Sequence, residues 1–544
     1  MTLTALPGAK ATYPVDENLD GLPASIPEIL AHRRSTPDGE FVVGPDFVLT
    51  FAEAEAKSAA LAGRLLAAGI GKGARIGILC ANSPAWVVWW LAAARIGALT
   101  VPLSTFSPGR ELSGVISHAD VAALLTAPSF LDTDLTFRLE EGLDGLAGSQ
   151  PELSLETAPY LRWIHVDDPR PPAWSKSLPT PLSRTMVSAA EQQVVPGDAL
   201  VMINTSGSTA APKSIVHTHG SLLRHAALLA RLRGLQPSDR LYCPMPFFWV
   251  GGLTTSLLYA LTSGCTLVTQ ERFEPSEALE LMERHRVTLV QVWPNAARSL
   301  AEHPSFLQRD LSSVRGGTLP EAMPLGLRPE TPDLYPGVFG MTETGGPHSN
   351  PDDPYHPLPS ERRGTYGREV PGVARRVVDA RTGAVLGPGE VGELCVRGPF
   401  VMDQIYKKER DAVFDPDGWY ATGDLCSIDG DDLLRFHGRA SSMIKTGGSN
   451  VAPSEVEEVL ERHHGVGRTF VIGVPSERRG EEVVAAVVPL DGGALDPSDL
   501  DAFVRNYLSP YKVPRQWLFI GESELPLLAS GKVDVPNLRG RFSA

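Results

Sequence analysis

The 544-residue sequence predicts an α/β protein: a large N-terminal domain, a small barrel-like sheet within it, and a small α+β domain at the C-terminal end. Three observations support this. Apolar runs of strand length alternate with helix-length segments as far as Val292, the pattern of parallel sheets with helices on both faces. After about Gly364 the texture changes to short strands split by turn residues, as in a small mixed sheet. The Gly- and Ser-rich stretch Gly438–Gly448 then separates a further α/β unit.

Phe51, Ala54, Ser58, Leu61 and Leu65 recur every three or four positions and Gly69 stops the run, so residues 50–70 read as a helix. Arg75–Cys80 follows as a buried strand, Trp86–Arg95 as a helix and Ala98–Leu103 as a strand. Residues 130–190 are rich in Pro and Ser and show little periodicity. Alternation resumes with strand Leu200–Asn204, helix Ser221–Arg233, strands Leu241–Pro244 and Thr266–Thr269, helix Pro275–His285 and strand Leu289–Val292. Arg376–Asp379, Gly392–Arg397 and Leu433–His437 are the short strands of the later region. In the last unit Ser454–Arg462 and Asp499–Leu508 read as helices, and Thr469–Val474, Val483–Val488 and Gln516–Ile520 as strands.

With 42% hydrophobic and 21% charged residues the chain has a globular balance, which excludes wholesale disorder. A single core stops growing at roughly 250–300 residues, so at least two domains are expected. The net charge of −15 repels polyphosphate backbones, and no nucleic-acid partner is expected. It leaves room for a small anion held by a nest of backbone N–H groups. The five scattered cysteines include no Cys-x-x-Cys pair, which argues against a disulfide framework or a Cys-based zinc site and suits a reducing compartment. Met1–Pro7 lacks the basic and apolar regions of a signal peptide. The most apolar stretch, Trp86–Leu99, carries Arg95 and falls short of the ~20 residues that span a bilayer. A cytoplasmic protein without a membrane span is expected.

The strongest local signal is Thr205-Ser206-Gly207-Ser208-Thr209-Ala210-Ala211-Pro212-Lys213, directly after an apolar run. Small hydroxyl residues and a glycine let a loop curl so that N–H and O–H groups face phosphate oxygens, and Lys213 adds a mobile positive charge. Taken alone the segment is equally a surface turn, and its spacing is not that of the P-loop. Four further segments follow in fixed order: Phe339-Gly340-Met341-Thr342-Glu343-Thr344; Trp419-Tyr420-Ala421-Thr422-Gly423-Asp424; Gly438-Arg439 with Ile444-Lys445-Thr446-Gly447-Gly448; and Ser530-Gly531-Lys532. With these, the chain from about Leu49 to Lys532 resembles the adenylate-forming superfamily of acyl-CoA synthetases, peptide-synthetase adenylation domains and firefly luciferase, as an acid–CoA ligase-like member.

The resemblance implies two stacked α/β sheet subdomains plus a small distorted β-barrel in residues 1–437, a hinge at 438–443 and a small mobile α+β domain in 444–544. It implies a two-step reaction: a carboxylate attacks the α-phosphorus of ATP, and a thiol, usually that of coenzyme A, then displaces AMP. Lys532, Thr342 and Glu343 match the catalytic positions, with Glu343 as the Mg2+ ligand. Thr205, Ser206, Gly207, Ser208, Thr209 and Lys213 match the phosphate loop. Gly316, Gly317 and Thr318 match the loop lining the adenine and acyl sites. Phe339 stands where the family stacks an aromatic on adenine, a core aromatic being the rival reading, and Gly340 and Met341 continue that wall. Asp424 matches the ribose acceptor and Arg439 a second nucleotide contact. Lys445, Gly447 and Gly448 match the loop that lets the pantetheine arm pass, and Ser441 the hinge. Phe248, Trp249, Gly317, Thr318 and Met341 fall at the acyl pocket.

The sequence also departs from the family pattern. Ser441 and Ser442 replace charged hinge residues. Ala210 and Ser214 stand where glycines are common, which costs little if φ stays negative and more if it must be positive. Trp249 replaces a frequent His and either narrows the pocket or packs in the core. The His217/His219 and His463/His464 pairs have no third ligand at metal spacing and read as structural or solvated. No carrier-protein segment follows Lys532 before Ala544, so coenzyme A is the expected acceptor. The rivals are a stand-alone ligase loading the phosphopantetheine of an acyl-carrier protein, a relative that activates another small oxyanion such as nitrite for capture by an amine, and a non-catalytic nucleotide-binding relative.

Overall fold

The computed structural model describes residues 21–35, 39–205, 213–328, 330–331, 334–439, 443–446, 449–451, 453–476, 478–490, 495–508, 511–528 and 532–542. Two compact units emerge. One comprises the described residues up to Ala374 with Arg397–Trp419, the other Arg375–Val396 with the described residues from Tyr420 onward.

The first unit holds two large sheets. In the six-stranded sheet the order is Gly316–Gly317, Leu289–Val290, Arg240–Tyr242, Thr266–Val268, Glu40–Val43, Val48–Thr50, all parallel except the last. The seven-stranded sheet runs Gln404–Ile405, Lys213–Thr218, Ala199–Thr205, Leu99–Leu103, Arg75–Leu79, Ala123–Thr126, Trp163–Val166. Its last five strands are parallel, as expected from strand–helix alternation, but the Lys213–Thr218 and Gln404–Ile405 edge is antiparallel. No strand was expected at Lys213–Thr218.

Local chemistry sets the helices that cover these sheets. Phe51–Ala67 starts at a capping box in which Glu53 N–H donates to Thr50 Oγ1 at 3.1 Å and Thr50 N–H to Glu53 Oε2 at 3.0 Å. Pro84–Ala94 begins at Ser83 with Pro84 in its first turn and has no polar face, because it buries Trp86 and Trp90. The unperiodic stretch 130–190 contains helices Leu135–Gly142 and Arg184–Glu191 and the edge strand Trp163–Val166. A short antiparallel sheet, Phe339–Met341, Gly346–Asn350 and Arg368–Glu369, completes this unit's strands near the candidate site.

The second unit opens with a four-stranded sheet, Ala374–Val378, Gly392–Arg397, Tyr420–Ile428 and Leu434–Arg439. A five-stranded sheet follows, in which Gly480–Pro489 pairs with Val466–Ser476, Ile444–Thr446 and, in parallel, Gln516–Phe519. Helices Pro453–Leu460 and Pro497–Arg505 bury Val456, Leu460, Leu500 and Val504 against Val471, Ala485 and Val487. The expected 438–443 hinge falls within this unit, and Ser441 and Ser442 lie outside the described residues. Among the described residues, no helix is long and apolar enough to cross a membrane.

Candidate active site

The expected phosphate loop joins strands Ala199–Thr205 and Lys213–Thr218, with Thr205 opposite Lys213. Ser206, Gly207, Ser208, Thr209 and Ala210 lie outside the described residues. Side chains alternate along a strand, so Lys213 and His217 share one face and Ser214 takes the other. Lys213 Nζ forms an ion pair with the Glu343 carboxylate. The Thr342 carbonyl can only accept, so His217 Nε2 donates to it, at 2.7 Å. On the opposite face buried Ser214 donates to Asn204 Oδ1, and its φ is not positive, so serine in place of glycine carries no backbone strain there.

Thr342–Thr344 forms one tight turn after strand Phe339–Met341, ending at Gly345 with φ 64°. Thr344 Oγ1 donates to Gly346 O at 2.6 Å, and Met402 N–H donates to Glu343 O at 2.7 Å. Glu343 is only 7% exposed. Gly340 is required by close approach, since a Cβ there would sit 2.4 Å from Gly346 O. Half-buried Phe339 meets His348 edge-on at 5.4 Å and Tyr366 at 5.2 Å. His225 stacks on Phe400 at 4.9 Å and donates to Pro347 O at 3.0 Å; burial pushes its pKa down to about 3. Burial likewise lowers His217, and brings His219 to about 4 while its Nδ1 accepts from Ile26 N–H. Among the described residues, no group of three His, Cys, Asp or Glu side chains is placed to hold a metal.

Gly316–Gly317 is the edge strand beside Leu289–Val290. A Cβ on Gly317 would lie 2.4 Å from Val290 O, and Tyr335 OH donates to Gly317 O at 2.9 Å. Thr318 N–H donates to Val290 O at 3.0 Å. The loop after Arg240–Tyr242 leads to Phe248 and Trp249, at the carboxyl end of a parallel strand where α/β sheets bind ligands. Asn82 shapes that loop, accepting from Phe247 N–H at 2.8 Å and donating to Met245 O at 2.9 Å. Trp249 stands at the start of helix Val250–Gly252, with Phe248 at 5.6 Å and exposed Phe106 at 6.2 Å.

In the second unit Asp424 and Arg439 face each other across adjacent strands, with Arg439 Nε 2.6 Å from Asp424 Oδ1. Asp424 is 1% exposed, and Thr422 Oγ1 accepts from its N–H at 3.0 Å. Gly423 has φ 76° and donates its N–H to Glu393 Oε1. Lys445 lies on strand Ile444–Thr446, which pairs antiparallel with Ser449–Val451, while Gly447 and Gly448 are outside the described residues. Lys532 is exposed, in a turn closed by Leu528 N–H donating to Lys532 O at 2.8 Å and a Leu527–Val533 bridge. Sequence reasoning did not find His217, Met402, Tyr335 or Asn82 as supports of the site, because each acts through main-chain contacts to distant segments, nor Tyr366, which meets the Phe339 ring from a distant segment.

This mixed α/β fold, with the antiparallel strands Ala199–Thr205 and Lys213–Thr218 at one edge of its seven-stranded sheet, is that of the adenylate-forming enzymes. The profile described as AMP-binding enzyme matches residues 30–406, and that described as AMP-binding enzyme C-terminal domain matches 455–532. The chain belongs to the AMP-binding enzyme family. Indoleacetate–CoA ligase from Aromatoleum aromaticum is 31% identical, over 93% of this chain and 96% of that protein. Feruloyl-CoA synthase from an Amycolatopsis species is 32% identical, over 94% of this chain and 97% of that protein. The solved amide bond synthetase of Marinactinospora thermotolerans superposes with a TM-score of 0.79 at 28% identity, covering 96% of this chain and 100% of that one.

Proposed function

We propose that this protein is an ATP-dependent, AMP-forming acid–CoA ligase. A carboxylate oxygen of the acid attacks the α-phosphorus of ATP, pyrophosphate leaves, and the coenzyme A thiol then attacks the acyl carbon and releases AMP. The observation that supports this most directly is the meeting of Lys213, at the end of the phosphate hairpin, with Glu343 in the Thr342–Thr344 turn. A buried carboxylate beside a lysine suits a site that gathers phosphate oxygens and a hard cation. The homologous indoleacetate and feruloyl enzymes are named for CoA ligation and give the thiol its place in the reading.

Mg2+ takes one or two carboxylates plus substrate phosphates rather than an all-protein cage, and a lone buried Glu343 without a three-residue metal cluster among the described residues fits that donor set. Glu343 would hold it, and when bound it neutralises charge on the phosphates. Thr342, Thr205 and Lys213 bind phosphate oxygens, and Phe339 with Gly340 and Met341 walls the adenine. Gly316, Gly317 and Thr318 line the nucleotide and acid sites, and Asp424 with Arg439 takes the ribose. Lys532 supplies the ammonium that orients the attacking carboxylate, and Lys445 with its hairpin serves the thiol step.

The likeness to an amide bond synthetase favours a second reading in which an amine captures the acyl-adenylate. One experiment separates the two: pyrophosphate exchange across fatty, aromatic and small acids, then AMP release with coenzyme A, an acyl-carrier protein or amines as acceptors. Coenzyme A-dependent AMP release supports the ligase. Release that needs an amine and ignores coenzyme A replaces it with the second reading, and absence of exchange with any acid rejects acid activation.

A further inference from the structure

We propose that His217 is a positioning residue for the adenylation step, tying the Thr342–Glu343 turn to the strand that carries Lys213; this rests on the ligase reading above. Lys213 and His217 are four residues apart on strand Lys213–Thr218 and therefore point the same way. Both reach the same short turn, Lys213 through the Glu343 side chain and His217 through the Thr342 main chain. The imidazole is fully buried, so it does not touch substrate itself.

The Thr342 carbonyl has two lone pairs. One accepts Gly345 N–H at 2.9 Å, which closes the turn, and the other accepts His217 Nε2–H at 2.7 Å. A further external tie is Met402 N–H to Glu343 O at 2.7 Å, from the chain leading into strand Gln404–Ile405, which itself pairs with Lys213–Thr218. Loss of His217 leaves the turn closed and the Met402 and Lys213 ties to Glu343 in place, but removes the anchor at the Thr342 carbonyl, so that the start of the turn can shift. The Thr342 hydroxyl would then lose its register with the Glu343 carboxylate and Lys213. That is a fault of placement, not of folding.

Three variants test this: His217→Leu removes the donor, His217→Asn keeps a polar group too short to reach Thr342 O, and His217→Gln places an amide N–H at about the reach of Nε2. The probe is the non-hydrolysable analogue α,β-methylene-ATP, titrated calorimetrically with and without Mg2+, alongside thermal melting. The Leu and Asn variants are expected to bind the Mg2+ complex about 10–100-fold more weakly, as for loss of a group that orients a ligand-binding side chain. Their affinity for the metal-free analogue changes less than about threefold, and Gln restores Mg2+-complex binding to within about threefold of the parent. Parent-like Mg2+-complex binding in Leu and Asn, or a Gln variant as weak as Leu at equal melting temperature, overturns the assignment. Binding does not require turnover, so if no acid supports exchange the ligase reading fails while this difference still decides the role of His217.

Discussion

Replacing Lys532 with alanine separates chemistry from folding. Its side chain is exposed, and among the described residues its ammonium has no hydrogen-bond or ion-pair partner. The turn that holds it uses the Lys532 carbonyl, which alanine keeps, so stability should change by less than about 0.5 kcal/mol. If the ammonium orients the acid and neutralises charge developing at the α-phosphate, its loss should lower adenylation by about 10²–10³-fold, near 3–4 kcal/mol of transition-state stabilisation. ATP affinity should fall less than about threefold, because the proposed reading gives most nucleotide contacts to other residues. Pyrophosphate exchange measures the first step, calorimetric ATP titration the affinity and thermal melting the fold. Coenzyme A transfer from a supplied acyl-adenylate measures the second step, which should survive. A variant that loses ATP affinity as steeply as turnover, or that keeps full exchange, refutes the role.

Gly340→Ala puts a methyl group 2.4 Å from Gly346 O, so the strand pair must part; a melting-temperature loss equivalent to about 2 kcal/mol and an exchange rate lower by about tenfold or more are expected. Asp424→Asn should weaken ATP binding by about tenfold and 2′-deoxy-ATP binding by less, since the reading gives the charged acceptor to the ribose hydroxyls; equal losses on both nucleotides would contradict it. Burial raises the Glu457 carboxyl from 4.5 to about 7, despite its bond from Val471 N–H at 2.8 Å, with Glu461 nearby adding to the rise. The folded state therefore holds a proton that the unfolded chain releases, so the Glu457 contribution to stability should fall as pH rises from about 4.5 to 7, by up to about 3 kcal/mol, while buried His217, His219 and His225 slope the other way. Chemical denaturation of the parent and of Glu457→Gln should show the parent's stability falling relative to the variant across that window, and a difference flat with pH would refute the assignment.

The legible parts of the fold were those where one residue type serves one local need. Phe51–Ala67 was visible because its period and the Thr50/Glu53 box agree, and Gly392–Arg397 because turn residues bracket an apolar run. Strand Lys213–Thr218 was hidden because Ile215, Val216 and His217 are buried on both faces, leaving no polar alternation to read. Residues 130–190 resisted because helices of eight residues, Leu135–Gly142 and Arg184–Glu191, span barely two turns, too short for a period to emerge. The five motifs were legible for a different reason: they follow in the fixed order of a family whose proposed ligands, phosphate, ribose and carboxylate, each demand a narrow set of side chains. That Asp424 and Arg439 would sit directly across a strand pair was not readable from two motifs separated along the chain.

The supports that were missed follow one pattern. Thr342 is fixed at its carbonyl by His217, Glu343 at its carbonyl by Met402 N–H, and Gly317 at its carbonyl by Tyr335 OH. In each case the neighbour takes the main chain and leaves the candidate ligand-contacting group to be aimed by it. A backbone carbonyl accepts from any donor of suitable reach, so these supports can be His, Tyr or a bare N–H, and no motif records them. Their loss displaces reactive groups instead of deleting them. A misplacement of about 1 Å costs on the order of 10²-fold in rate, so the unremarkable residues behind the motifs are expected to control turnover nearly as strongly as the motifs themselves.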